Sequence, residues 1–198
     1  MIPIVILAAG TSSRMRGGDK LLETVQGMPL IQLQVQRAQA TGQPVFVALA
    51  SADHPRMDAI AHMHITPVIT PEASDGMSCT MRGAVAALPS APAFMMMLGD
   101  LVALETTDLQ DVLNARTTHP DHLIWRGATA NGAPGHPIVF DHSLRPAFAK
   151  LTGDNGGDSI VKPLKNRTHL VRFGDDRARL DLDTPEDWAA WRKSLGQD

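Results

Sequence analysis

The chain has 198 residues, of which 43% are hydrophobic and 20% are charged, a balance typical of a globular protein. A formal net charge of −3 and an aromatic content of five Phe and three Trp argue against a nucleic-acid-binding or membrane-surface protein. The single cysteine, Cys79, excludes an intrachain disulfide framework and a cysteine-based metal cluster. We expect a cytoplasmic protein, because no apolar run reaches the roughly 20 residues of a membrane span and no basic segment precedes the apolar N-terminus.

Predicted strands and helices alternate through the first two thirds of the chain. Residues 2–7 form a β-branched run that is typical of a strand buried on both faces of a parallel sheet. Further strands are predicted at 45–49, 66–69, 94–98 and 122–125, and helices at 29–42, 55–63, 81–88 and 108–115. This alternation predicts a three-layer α/β/α fold, Rossmann-like, with a mainly parallel sheet.

The alternation is weaker after Trp125. A strand at 138–140 is predicted outside the main strand order, as a small antiparallel excursion in the C-terminal half. Thr184 and Pro185 open a last helix with a capping residue and a first-turn proline. The acids at 108–111 are interpreted as a solvated helix face. Since no repeat or linker interrupts the chain, we expect residues 1–198 to form a single domain.

The segment that follows the first strand contains small, hydroxyl and cationic residues of the kinds that bind ligands. Small residues let a backbone approach a ligand, and successive amides can cradle an anion. Ligands of doubly wound sheets bind beyond the carboxyl ends of strands. The segment therefore predicts a polyphosphate site, although a solvated glycine-rich loop is the alternative from spacing alone. It is neither a Walker A loop nor G-x-G-x-x-G. Its candidate residues are Leu7, Ala8, Ala9, Gly10, Thr11, Ser12, Arg14 and Lys20.

These residues, read as Leu7-Ala-Ala-Gly-Thr-Ser-Ser-Arg-Met15 with Lys20, resemble the signature of nucleotidyltransferases of the molybdenum cofactor cytidylyltransferase and guanylyltransferase type. The resemblance implies a GT-A-like α/β fold and spans nearly the whole chain. Leu101-Val102 departs from the family, which usually has Pro two places after its aspartate. Further segments similar to the family are Gly76–Arg82, Leu98-Gly-Asp100, Gly135-His-Pro-Ile-Val-Phe140, Leu151–Gly157 and Asp181–Asp187.

The resemblance implies that an acceptor phosphate attacks the α-phosphorus of a nucleoside triphosphate and releases pyrophosphate. Lys20 would neutralise charge at the α-phosphate, and Arg14 with the amides around Gly10 would hold the other phosphates. Asp100 completes the implied catalytic set. Gly76, Ser78 and Arg82 would join the loop residues in binding the nucleotide.

The implied cofactor is Mg²⁺, which prefers one or two carboxylates together with phosphate oxygens and water. Asp100 and Asp183 are the predicted ligands, with Asp181 as a competitor and helix capping as the alternative for Asp183. His136, Gly153 and Asp154 fall in segments that the resemblance assigns to acceptor binding. The paired histidines His62/His64 and His119/His122 are interpreted as surface residues.

Ala9 favours CTP, because the guanylyl enzymes that the chain resembles tend to have Gly at this place. The predicted partners are CTP or another nucleoside triphosphate, a molybdopterin-type phosphate acceptor, and a molybdoenzyme or its chaperone. Two alternatives stay open. The acceptor could be methylerythritol phosphate or a sugar phosphate, or the protein could be a non-catalytic nucleotide-binding cofactor chaperone, which the Leu101-Val102 departure favours.

Overall fold

Seven strands form one mixed sheet in the order β5-β4-β1-β6-β8-β7-β9. A computed structural model describes residues 1–153 and 156–196, without the side chains of residues 74 and 75. All neighbouring strands in this sheet run parallel except at β8, which is antiparallel to both β6 and β7. The strands are β1 (Ile4–Leu7), β4 (Val45–Leu49), β5 (Thr66–Ile69), β6 (Ala93–Leu98), β7 (Ile124–Ala128), β8 (Pro134–Asp141) and β9 (Thr168–Arg172). A separate antiparallel pair consists of β2 (Thr24–Val25) and β3 (Met28–Pro29).

Helices cover both faces of the sheet, because the buried strand residues alternate between two apolar clusters. Ile4 and Ile6 belong to one cluster and Val5 to the other. The first cluster packs against α1 (Leu30–Gln39), α2 (Pro55–Ile60), α4 (Thr106–Thr118) and α7 (Pro185–Ser194). The second packs against α3 (Met77–Ala87), α5 (Arg145–Phe148) and α6 (Asp158–Val161). The predicted three-layer α/β/α arrangement with a mainly parallel sheet is thus confirmed.

Three details differ from the sequence-based expectations. The strand predicted at 138–140 is the longer β8, and it lies inside the sheet between β6 and β7. The β2–β3 hairpin and the edge strand β9 were not predicted. Asp108 is not on a solvated face: it is buried, and its carboxylate accepts from the Glu105 backbone N–H in a capping box that begins α4.

The sheet brings two loops together at one edge. β1 and β6 are adjacent and parallel, with Leu7 opposite Leu98, so the segments that follow them leave the sheet side by side. Gly99 permits this close approach, since a Cβ there would lie 3.2 Å from the Leu7 carbonyl oxygen and 3.3 Å from Leu21. Within the described part of the chain, no helix is long and apolar enough to cross a membrane.

Candidate active site

Lys20 lies between two carboxylates at this edge of the sheet. Its Nζ is 2.5 Å from Asp100 Oδ2 and 2.7 Å from Asp183 Oδ1. All three side chains are largely buried, with 14–16% exposure. Three of the residues that the resemblance assigned to catalysis and metal binding therefore do converge, although they come from distant parts of the chain.

Separate elements deliver each member of this cluster. Lys20 comes from the loop after β1, and Asp100 follows β6 directly. The C-terminal segment reaches the site because Asp181 and Leu101 form an isolated antiparallel bridge. Asp183 does not cap α7, since Thr184 is the N-cap and its side chain accepts from the Asp187 N–H. The carboxylate of Asp183 is thereby left to face Lys20.

Charge balance sets the protonation of this cluster. Burial favours the neutral amine of Lys20, but Asp100 and Asp183 outweigh it and raise the Lys20 pKa. Burial also opposes ionisation of Asp183, yet Lys20 and Arg14 lower its pKa below the usual range. For Asp181, burial and the negative charges of Asp183 and Asp100 act together and raise the pKa. Lys20 thus stays cationic and Asp183 anionic, while Asp181 shares a hydrogen bond with Asp183.

A shallow hollow of about 180 Å³ lies beside the cluster. Arg14 reaches across it, with Nη2 2.7 Å from Asp183 Oδ2. The Arg14 side chain is 67% exposed, so this guanidinium can turn toward a ligand at little cost in packing. Ser12 and Arg16 have left-handed backbone conformations, each with φ of 51°, which curl the loop around the hollow. The lining residues are Gly10, Thr11, Ser12, Ser13, Arg14, Lys20 and Asp183.

Arg56, which the sequence-based analysis missed, holds the loop in place. Its side chain is 2% exposed and donates from Nη1 to the Ala8 carbonyl oxygen at 2.6 Å. Its Nε and Nη2 each lie 2.7 Å from one oxygen of Asp19, and Nη2 also donates to Ser12 Oγ at 2.9 Å. Burial opposes the charge on Asp19, but Arg56 lowers its pKa. No local pattern marked this residue, because its partners come from the loop after β1, 37 to 48 positions away.

A deeper cavity of about 210 Å³ continues from the hollow. The predicted nucleotide residues Leu7, Ala8, Ala9, Gly10 and Lys20 line it together with Asp100. The other residues that line it are Leu21, Arg56, Ala73, Met77, Thr80 and Leu98. The predicted loop residues are thus divided between the two spaces, with Thr11, Ser12 and Arg14 at the hollow.

The predicted residues of α3 and its cap lie away from this cavity. Ser78 is buried, and its hydroxyl lies 3.4 Å from the Thr152 carbonyl oxygen. Arg82 donates to the Leu151 carbonyl oxygen and pairs with Glu72, both at 2.9 Å. Gly76 caps α3 with a φ of 111°. Ser78 and Arg82 thus contact residues 151 and 152, while Met77 and Thr80 supply the cavity lining from α3.

A second cavity, of about 260 Å³, shares Leu7, Met77 and Leu98 with the cavity of about 210 Å³ described above. Of the predicted acceptor residues, His136 lines this cavity, whereas Gly153 lies outside its lining in a left-handed turn with φ of 70°. Asp154 falls outside the described residues. Burial, and then the charge of Arg126, lower the His136 pKa to about 4, so the imidazole is neutral near pH 7.

The carboxylates have the chemistry that Mg²⁺ prefers. Asp100 Oδ1 is buried and has no hydrogen-bond partner among the described residues, which leaves one hard oxygen available at the site. Across residues 1–153 and 156–196, no group of three or more His, Cys, Asp or Glu side chains is placed to hold a metal ion by itself. A cation held by Asp100 and Asp183 would therefore need oxygens from a ligand or water, as Mg²⁺ commonly does.

A cationic loop, a lysine between carboxylates and a cavity at the carboxyl edge of a mainly parallel sheet define a nucleotidyltransferase-type α/β protein. Residues 4–170 match the family model of the MobA-like NTP transferase domain, and the chain belongs to that family. It is 25% identical over 189 residues to nicotine blue oxidoreductase of Paenarthrobacter nicotinovorans, covering 92% of each chain.

Solved structures resemble the chain over nearly its whole length. Rv0371c from Mycobacterium tuberculosis H37Rv is 25% identical, with a TM-score of 0.82 and 97% of each chain covered. A nucleotidyl transferase from Methanothermobacter is 20% identical, with a TM-score of 0.81, covering 100% of this chain and 99% of the other. The second likeness concerns the fold alone.

Proposed function

We propose that this nucleotidyltransferase transfers CMP from CTP to the phosphate of a molybdopterin-type acceptor and releases pyrophosphate. The observation that carries the proposal is the position of Lys20, between Asp100 and Asp183 and beside the hollow that Gly10–Arg14 line. The family assignment supports the reaction class. The acceptor and the choice of CTP come from the sequence resemblance and from Ala9.

The reaction brings two anions together, so these residues act mainly by positioning and charge neutralisation. Lys20 would leave part of its contact with the carboxylates and bind the α-phosphate as negative charge develops there. Arg14, which is exposed and lies across the hollow, would bind the β- and γ-phosphates. Arg56 would act through Asp19 and Ser12, by fixing the loop that carries both cations.

Mg²⁺ fits the same edge of the sheet, where Asp100 and Asp183 would hold it. When bound, the ion would supply positive charge to the phosphates of the nucleotide. Asp100 offers its unpaired Oδ1, and Asp183 offers oxygens now shared by Lys20 and Arg14. Asp181 would act through Asp183, because its raised pKa makes it the weaker anionic ligand of the two.

The cavity beside His136 would receive the acceptor. Leu7 and Leu98 lie between this cavity and the nucleotide cavity, so an acceptor phosphate at its inner end would face the α-phosphate. A neutral imidazole can accept or donate a hydrogen bond without adding charge. His136 Nδ1 has no partner among the residues described, and would be available to the acceptor.

Ala9 supports CTP over GTP. It is 4% exposed and lines the nucleotide cavity, where its methyl group leaves less room for a purine than Gly would. One methyl group in a pocket discriminates by roughly 10–200-fold, so we expect a preference and not an absolute choice. The reaction is expected in the cytoplasm, a location that stays a prediction.

The direct test is pyrophosphate release from CTP with Mg²⁺ and a panel of acceptors: molybdopterin, methylerythritol phosphate and sugar 1-phosphates. We expect molybdopterin to be the best acceptor and Lys20→Ala to be inactive with all of them. Faster turnover with methylerythritol phosphate or a sugar phosphate would support the alternative acceptor. Tight CTP binding without turnover on any acceptor would support the non-catalytic cofactor chaperone.

A redox reaction is the second candidate, since the curated relative is named an oxidoreductase and aligns with 92% of this chain. The sequence has no G-x-G-x-x-G fingerprint, which weighs against a bound dinucleotide of the Rossmann type. Oxidation of NADH or NADPH by the purified protein, with a quinone-like dye as electron acceptor, tests this candidate. We expect no oxidation above that of the Lys20→Ala variant.

A further inference from the structure

A basic cavity lies on the far side of the proposed acceptor cavity. Its volume is about 500 Å³, and it meets the acceptor cavity at Arg126, Asp158 and Val161, which line both. Four cationic side chains surround it, in a protein whose net charge is −3. They are Arg126, Lys162, Lys165 and Arg179.

Arg126 is placed at this junction by the strand register. Met96 on β6 pairs with Ile138 on β8, and Ile138 pairs with Arg126 on β7. Cross-strand partners share one face of a sheet, so Arg126 extends a row that is otherwise apolar. Leu170 on β9 continues the row and lines the basic cavity. A charged residue in such a row indicates a requirement other than packing.

The charge of Arg126 is only partly satisfied within the protein. Its Nε donates to the Gly135 carbonyl oxygen at 2.9 Å, and this is the one hydrogen bond that the described residues give its side chain. Asp158, whose negative charge acts on Arg126, pairs with Lys162 at 2.9 Å. Burial and the neighbouring charge of Arg179 lower the Arg126 pKa, against the effect of Asp158. Two arginines that repel one another and line the same cavity form a site for an anion.

The distance between this site and the reaction centre constrains the ligand. Arg126 is level with Met96 of β6, two strands away and so roughly 10 Å across the sheet, and Asp100 lies beyond the end of β6, further along the strand direction than Met96. The apolar side chains Ile138, Met96 and Leu98 line the cavity between these two positions. A ligand that reaches both ends must carry negative charge at two separated places.

We infer that Arg126, with Arg179, forms a second anion-binding subsite that selects acceptors with an anionic group at the end opposite the reacting phosphate. This rests on the proposed function for the position of the reacting phosphate. The substrate class is a phosphorylated compound with a second anion, in preference to a simple monophosphate. Lys162 and Lys165 add positive charge at the outer rim, where they attract such a ligand.

Binding of a matched pair of probes tests the inference without turnover. Fructose 1,6-bisphosphate and fructose 6-phosphate differ by one terminal phosphate, and each is titrated calorimetrically into protein saturated with CTP and Mg²⁺. We expect the wild type to bind the bisphosphate at least about tenfold more tightly, in line with one charge-assisted contact. Equal affinities, or no measurable binding of the bisphosphate, would overturn the inference.

Variants assign the preference to this subsite. Arg126→Gln is expected to bring the two affinities within about threefold, and Arg179→Gln, a change at an exposed residue, to reduce the ratio by a smaller amount. Arg172→Gln, an equal change of charge at an exposed residue of β9, should keep the wild-type ratio. A ratio that survives in both Arg126→Gln and Arg179→Gln would contradict the assignment. The probes are not molybdopterin, and the titration measures binding without transfer. A failure of CMP transfer would therefore contradict the proposed function without deciding whether Arg126 and Arg179 bind a second anion.

Discussion

Lys20 and Asp100, 80 residues apart in the sequence, meet with Nζ 2.5 Å from Oδ2. The contact exists because β1 and β6 are parallel neighbours whose carboxyl ends reach one edge of the sheet. The same lysine also contacts Asp183, so one cation neutralises two carboxylates in a largely buried place. Under the proposed function, an arriving phosphate would compete with these carboxylates for the lysine, and this competition would link nucleotide binding to the charge state of the site.

Lys20→Ala should abolish transfer and leave the fold intact. The lysine is in a loop and belongs to neither apolar cluster, whereas loss of a preorganised charge at the reacting phosphate costs on the order of 100-fold or more in rate. Pyrophosphate release and circular dichroism measure the two effects. Lys193→Ala, a change on the last helix, serves as control. A Lys20→Ala rate within threefold of wild type would remove this lysine from the mechanism.

The two carboxylates should set the magnesium requirement. Asp100→Asn is expected to raise the Mg²⁺ concentration for half-maximal activity at least about threefold, because one hard anionic ligand is lost. Asp183→Asn should do the same, more weakly where Asp181 can substitute for it. Asp58→Asn, the same change at an exposed site on α2, is the matched control. Unchanged magnesium titrations in both site variants would exclude the pair as metal ligands.

Arg56→Met should destabilise the protein as well as slow it. Removing the guanidinium leaves the half-buried Asp19 carboxylate unpaired, which typically costs about 3–5 kcal/mol. Urea unfolding measures the loss in free energy of unfolding. In the double variant Arg56→Met with Asp19→Asn, the cost should be clearly smaller than the sum of the two single costs. Additive costs would show that the two side chains do not act as a pair.

Because of His136, the free energy of unfolding should decrease as the pH is lowered below about 6.5. Its pKa is lowered to about 4 in the folded protein, so the unfolded chain binds a proton that the folded chain resists between those values. At about 1.4 kcal/mol per pH unit, up to about 3 kcal/mol of the free energy of unfolding should be lost between pH 6.5 and 4. Urea unfolding across this range checks it. His136→Gln should flatten the slope, while His64→Gln, at an exposed histidine, should leave it steep.

The sequence predicted those parts of the site that follow from strand order and family segments. Lys20, Asp100 and Asp183 were predicted from the family segments that they occupy, and the adjacent parallel strands β1 and β6 explain why the first two meet at one edge. The role of Arg56 could not be predicted in this way, because its partners lie in a loop that is distant along the chain. The edge strand β9 was missed because four of its residues are only half-buried and the fifth is exposed, and β8 was misplaced because pairing partners are not visible in a single strand's pattern.

The central claim is CMP transfer from CTP to molybdopterin, and one competition assay tests it most directly. The protein is incubated with molybdopterin, Mg²⁺ and equal concentrations of CTP and GTP, and the dinucleotide products are separated and quantified. The account predicts a cytidine dinucleotide at least about tenfold in excess, with the excess reduced in Ala9→Gly because the purine then fits better. A predominantly guanosine product, or no dinucleotide product at all, would contradict it.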